Sequence, residues 1–158
     1  MEDHAHFGII VSRFNWEIVE PLLNNTIKHL EEKGFDSEDM TIYEVPGALE
    51  IPAVARKTHV IHDALICLGA VVRGETSHYD IVCENTARAL MDLSMALDAP
   101  IINGVLTVES VEQGLKRTER GAYFADAAIE MTILYGQIDD DVDQIVGDHD
   151  VYTMFEEN

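Results

Sequence analysis

Positive charge is scarce in this sequence: ten Lys and Arg stand against thirty Asp and Glu, a formal net charge of −20. Binding a nucleic acid or an anionic membrane takes a basic face, and ten dispersed cations cannot assemble one, so neither partner is expected. Cysteine is scarcer still. Cys67 and Cys83 are the only two, without the C-x-x-C spacing of a metal or redox site or the density of a disulfide scaffold, so both read as buried free thiols in a reducing compartment. No apolar run reaches the roughly 18 residues of a membrane span. The N-terminal MEDHAHF is acidic where a signal peptide would be basic and then apolar, and a cytoplasmic location is expected. The seven histidines are scattered. Their close pairs, His4 with His6 and His59 with His62, fall at the frayed N-terminus and in a surface loop, so no metal is expected.

What is present is a globular chain of 158 residues, 47% hydrophobic, with a mean hydropathy near zero, long enough to close one core as one domain. FGIIVS at 7–12 is short, apolar and β-branched, a buried first strand. Ile18, Leu22, Leu23, Ile27 and Leu30 then recur at helical spacing until Gly34 stops them. Pro21 is tolerable only in a first turn, so that helix should begin near Glu17 or Ile18. Met40 to Val45 is a second strand closed by Pro46-Gly47, and Pro52 requires the next helix to start around Glu50.

The chain is organised around LGAVVRGETSHYDIVCENTARAL at 68–90. An apolar run from Ala64 continues through Val71 and Val72 to Gly74, and after a few small or polar residues Ile81, Val82, Leu90, Leu93 and Leu97 take helical spacing: strand, tight turn, helix. Pro100 interrupts the chain before a fourth strand at Ile101 to Leu106. Ser110-Val-Glu-Gln113 is a capping box and predicts a short helix from Val111 to Arg117. A last helix should run from about Ala122 to Tyr135, with Phe124, Ala128, Met131 and Leu134 or Tyr135 on one face. Four strands, each followed by helix, predict an α/β fold, a parallel sheet covered on both faces in an αβα sandwich. Residues 1–138 form this domain. From Asp139 to Asn158 the chain has no Lys or Arg and many acids, and reads as a solvated or loosely docked tail, with a partner-binding tail as the alternative.

In such sheets ligands bind beyond the carboxyl ends of the strands, where this sequence places unusual residues. The Gly-x-Thr turn before the third helix exposes backbone N–H groups at a positive helix end, which suits a phosphate or another oxyanion, though such a pattern is more often simply a turn. His78, expected one turn in, is suited to moving protons near neutral pH. Phe14 and Asn15 follow strand one, where a ring could stack on a planar substrate, or simply serve as a hydrophobic staple or core cap, and an amide could read the substrate's polar edge. Glu50 follows strand two, placed to accept from sugar-like hydroxyls or simply to stabilise a helix start. Lys116, Arg117 and Arg120 form the densest basic cluster, and Arg117 is the candidate to grip two phosphate oxygens.

Together these segments resemble the lumazine synthase family. The resemblance covers roughly Phe7 to Leu134 and rests on RFN at 13–15, VPGALEIP at 45–52, LGAVVRGETSHYD at 68–80, NGVLTVESVEQGLKR at 103–117 and AAIEM at 127–131. It implies a flavodoxin-like strand order 2-1-3-4. It also implies a transferase of riboflavin biosynthesis, which condenses 5-amino-6-(D-ribitylamino)uracil with 3,4-dihydroxy-2-butanone 4-phosphate to give 6,7-dimethyl-8-ribityllumazine without metal or organic cofactor. By the same resemblance Phe14 stacks on the pyrimidine. Ala48, Leu49 and Glu50 hold the ribityl substrate, Ala70, Val71 and Val72 complete the pocket, Glu75 and Thr76 bind phosphate, Arg117 clamps it and His78 transfers protons. Family members are pentamers or assemblies of pentamers, so Asn103, Arg117 and Arg120 would face a neighbour's Phe14, Glu50 and His78.

Several residues depart from the family pattern. Asn103 stands where an aromatic or aliphatic residue is common. The loop between Arg117 and Arg120 is shortened to Thr118-Glu119, with Arg120 in place of a lysine. Glu75 puts a carboxylate at a phosphate seat, where it helps only through its backbone N–H. The segment before Phe7 is short for a strand that reaches a neighbour. These departures favour a pentamer or a pair of pentamers over a sixty-subunit shell. Two alternatives remain: the archaeal type of riboflavin synthase, which shares the fold, and a catalytically idle flavin-binding or container protein.

Overall fold

Every residue of the first strand, β1 (Phe7–Ser12), is buried, as expected of a central strand covered on both faces. A computed structural model describes residues 4–148, and in it β1 lies between β2 (Met40–Val45) and β3 (Ala64–Val72), with β4 (Ile101–Val108) beyond β3. All pairings are parallel, in the order 2-1-3-4 that the family resemblance implies. Phe7 stands beside Met40 on one side and Ala64 on the other, and Leu65 beside Ile101. The α/β class and the strand order thus agree with expectation.

Side chains alternate between two apolar layers. Phe7, Ile9 and Val11 pack with Ile66, Leu68 and Leu106 against the helices α1 (Trp16–Glu32) and α5 (Arg120–Asp148). Ile10, Leu65 and Cys67 face the other way, onto α2 (Ile51–Thr58) and α3 (His78–Ala96), where Ile51, Ala55, Val82 and Leu90 meet them. The sheet is the middle of three layers. Where α1 crosses α5, a Cβ on Gly121 would come within 2.5 Å of the Leu22 carbonyl oxygen and 2.8 Å of the Thr26 nitrogen. Only glycine lets the two backbones approach this closely.

Helix boundaries follow local chemistry, with four differences from the sequence reading. Helix α1 starts at Trp16 and continues through Pro21, which lies beyond the first turn. The buried stripe of Ile18, Leu22 and Leu30 holds the helix together across the lost hydrogen bond. Helix α4 (Val111–Leu115) is capped by Ser110 Oγ accepting from Gln113 N, as the motif predicts, but Gln113 Oε1 accepts from Glu109 N. Helix α3 opens at His78 itself, so this residue is at the first position and not one turn in. Finally, α5 does not end near Tyr135 but runs to Asp148, crossing residue 139 within one helix. Its side chains are exposed from Gly136 to Gly147. The rest of the expected tail, 149–158, lies outside the described residues.

Candidate active site at the carboxyl edge of the sheet

The chain leaves β1 toward β2 on one side and β3 toward β4 on the other, so the carboxyl ends of β1 and β3 form a topological switch point, the place where such sheets bind ligands. A cavity of about 570 Å³ opens there. Four segments line it: Phe14 from the β1–α1 turn, Pro46 to Glu50 from the β2–α2 turn, Ala70 to Val72 from the end of β3, and the start of α3 through Gly74, Thr76, His78, Tyr79 and Val82.

Backbone bonds hold these segments in register. Arg13 N donates to Val45 O at 2.8 Å and Phe14 N to Pro46 O at 3.1 Å, which sews the turn after β1 to the end of β2. Asn15 then takes φ 61°, the one positive φ outside glycine among the described residues. Asparagine takes this left-handed geometry more readily than most residues, and here its Nδ2 donates across to Ala70 O at 2.8 Å. The result is a phenyl ring, Phe14, left 71% exposed beside the cavity. A ring this size held out of the core next to a concave site is placed to cover a planar ligand.

On the second side Gly47 leaves room for a carboxylate: a Cβ there would sit 3.0 Å from Glu50 Oε2. On the third side the turn before α3 is sparsely bonded. Thr76 Oγ1 accepts from His78 N at 3.3 Å, and Ser77, at the cap position, makes no side-chain bond to the helix. Among the described residues, the N–H groups of Glu75, Thr76 and Ser77 meet no protein acceptor. Donors at a positive helix end suit an oxyanion, with the exposed His78 imidazole directly beside them.

The cavity brings together Phe14, Ala48, Leu49, Glu50, Ala70, Val71, Val72, Thr76 and His78. Five other sequence candidates do not line it. Asn15 spends its amide on Ala70 O. Glu75 is exposed beside the turn. Asn103, on the edge strand β4, accepts from Val105 N at 3.0 Å. Arg117 is exposed, its Nη1 donating to Gln113 O at 3.2 Å, and the Arg120 guanidinium lies over the Tyr123 ring at 5.2 Å. Among the described residues this turn therefore has no free cation beside it within one chain, since Arg73, the nearest in sequence, is bonded to Glu109 and Asp80.

Sequence reasoning missed Tyr79, Val82, Pro46 and Gly47 as cavity walls. Val82 carried the signal of a core helix residue, and it is buried in that role, while its flank also closes the cavity. Tyr79 adjoins His78 in a turn whose bend only the structure defines. Among the described residues no three His, Cys, Asp or Glu side chains converge as they would on a metal ion, and no helix is long and apolar enough to cross a membrane.

Comparison with known proteins agrees with this geometry. A 6,7-dimethyl-8-ribityllumazine synthase of Salinibacter ruber is 40% identical over 144 residues, covering 87% of this chain and 92% of its own length. Residues 4–135 match the family model for 6,7-dimethyl-8-ribityllumazine synthase, a span that contains all four strands and every wall of the cavity. With a match over most of its length and the cavity at the switch point of its sheet, the chain belongs to the 6,7-dimethyl-8-ribityllumazine synthase family.

Proposed function

We propose that this protein condenses 5-amino-6-(D-ribitylamino)uracil with 3,4-dihydroxy-2-butanone 4-phosphate to form 6,7-dimethyl-8-ribityllumazine. The observation that carries this reading is the convergence of Phe14, Glu50 and His78 on one cavity with the donor-rich turn at Thr76. Phe14 stacks on the pyrimidine. The backbone at Ala48 and Leu49 and the Glu50 carboxylate hold the ribityl chain, with Ala70 to Val72 as the floor. The backbone N–H of Glu75 and the turn at Thr76 bind the phosphate, and His78 moves protons between the reacting nitrogen and oxygen atoms.

Imine formation, loss of phosphate and ring closure need two aligned substrates and a proton carrier more than they need a cofactor. Alignment alone can contribute about 7 to 11 kcal/mol to lowering the barrier. Asn15 enters this scheme through the turn that carries Phe14, because its amide is committed to Ala70 O.

The missing cation comes from a second copy. Arg117 of the neighbouring subunit closes on the phosphate, with Asn103 and Arg120 of that subunit beside it, in a homo-oligomer that is a pentamer or a pair of pentamers. The exposure of Arg117 and the absence, among the described residues, of a free cation at the turn within one chain support this arrangement. The catalytic unit is residues 1–138, with 139–158 an acidic appendage, and the enzyme works in the cytoplasm.

The test is to supply both substrates to the purified protein and to His78→Ala, and to follow lumazine fluorescence. Product from the parent and a large loss in the variant support the proposal. No product from either overturns it. Incubation with 6,7-dimethyl-8-ribityllumazine alone would yield riboflavin only if the archaeal-type riboflavin synthase reading were correct.

A further inference from the structure

Arg73 sits between the last residue of β3 and the turn before α3, and nothing in the proposed chemistry uses it. The Arg73 N–H donates to Val108 O at 2.9 Å, fastening its backbone to the end of β4. Its Nε donates to Glu109 Oε2 at 2.8 Å, and its Nη1 lies 3.5 Å from Asp80 Oδ1 in the first turn of α3. The guanidinium carbon stands 4.3 Å above the centre of the Tyr79 ring. One side chain thus spans Gly74 to Ser77 and joins the residue before the turn to the residues after it.

From this arrangement we infer that Arg73 is a positioning residue for the phosphorylated substrate: it closes the loop that holds the anion-binding N–H groups and His78, and neutralises the carboxylates on either side. The inference rests on the reading of that turn as a phosphate seat. Two effects act in the same direction. The first is geometric, because a flexible turn with few internal bonds keeps its donors convergent only if its ends are held. The second is electrostatic. Asp80 and Glu109 would otherwise stand as unpaired negative charges near a bound dianion, and like charge placed close to a ligand raises the cost of binding it.

The planar guanidinium is suited to this task where an ammonium is not. It meets two carboxylates at different nitrogens while its face rests on an aromatic ring. Arg73→Lys keeps the charge but offers one small donor head, so it should restore part of the effect. Arg73→Gln removes charge and fork together. Asp80→Asn leaves the Glu109 bond in place and removes one of the two negative charges.

Steady-state kinetics of the full chain with each substrate varied in turn tests the inference, with a thermal melt confirming that each variant is folded. Arg73→Gln should raise KM for the phosphorylated substrate about tenfold while changing KM for the pyrimidine several-fold less. Arg73→Lys should fall between Arg73→Gln and the parent. Adding Asp80→Asn to Arg73→Gln should recover part of the loss. Equal rises in both KM values, or no rise in either, would overturn the positioning role and leave the proposed reaction standing. A parent protein that forms no lumazine would overturn the reaction, and this inference with it.

Discussion

The side-chain amide of Asn15 donates to the backbone carbonyl of Ala70 at 2.8 Å, tying the turn after β1 to the end of β3 across the floor of the cavity. Asn15 holds φ 61° to do so. Alanine at this position would lose the bond and strain the left-handed backbone. Glycine would lose the bond but take the conformation freely. Asn15→Ala should therefore cost about 2–3 kcal/mol, from an αL penalty of about 1–2 and a hydrogen bond of about 1, with Asn15→Gly clearly less costly. Urea unfolding of the pair checks the order, and a glycine variant less stable than the alanine variant would contradict it.

At the opposite edge of the sheet His62 is buried, with Tyr43 Oη 2.8 Å from its Nε2 and His6 Nδ1 2.8 Å from its Nδ1. Burial, reinforced by the neighbouring His6, lowers its pKa from the ordinary 6.5, against a smaller opposing pull from Asp63. The folded protein thus takes up this proton less readily than the unfolded chain does. The stability contributed by neutral His62 is complete above about pH 6.5 and declines as the pH falls through 6.5 toward the lowered value. Comparing urea midpoints of the parent and His62→Gln from pH 8 to 5 should show the parent falling more steeply. Parallel curves would refute this.

Two glycines in α5 predict opposite responses to the same change. A Cβ at Gly121 meets the Leu22 and Thr26 backbone, whereas one at Gly136 meets nothing within 4 Å. Gly121→Ala should push α1 from α5 and cost about 1–3 kcal/mol. Gly136→Ala should stabilise the helix by roughly 0.5–1 kcal/mol. Thermal melts that shift in the same direction for both would count against this packing.

The two thiols should differ in reactivity. Burial pushes Cys67 up to about 12, and Cys83 is raised as well, chiefly by burial, but is only half-buried. Only the thiolate reacts readily. Alkylation of the native protein followed by mass spectrometry should therefore label Cys83 first and reach Cys67 only on unfolding. Labelling of Cys67 at an equal rate would be inconsistent with its place in the core.

How much was legible in advance depended on the range of the interactions. The apolar run at 7–12, the stop at Gly34 and the cap at Ser110 act over a few residues, and each marked its element in the sequence. The sequence marks the end of α5 too early, near Tyr135, because the hydrophobic stripe weakens there. The backbone nevertheless stays helical to Asp148, although the acids there are interrupted only by isolated, exposed apolar residues such as Ile138, Val142 and Ile145. Asn15 was legible as unusual but not in its role, since its partner Ala70 is 55 residues away in the chain.

From sequence alone came the parallel α/β architecture, the family, and the residues on which chemistry could rest, because hydrophobic period, turn residues and motif order are local properties written along the chain. Tertiary structure alone decided which of those residues share a cavity. It set Phe14, Glu50 and His78 around one space, turned Asn15 into a tether, left Asn103, Arg117 and Arg120 outside, and spread Arg73 across the turn. The reason is that these relations depend on where three separate strands end relative to one another. That is fixed by sheet register and helix packing, which no stretch of sequence carries by itself.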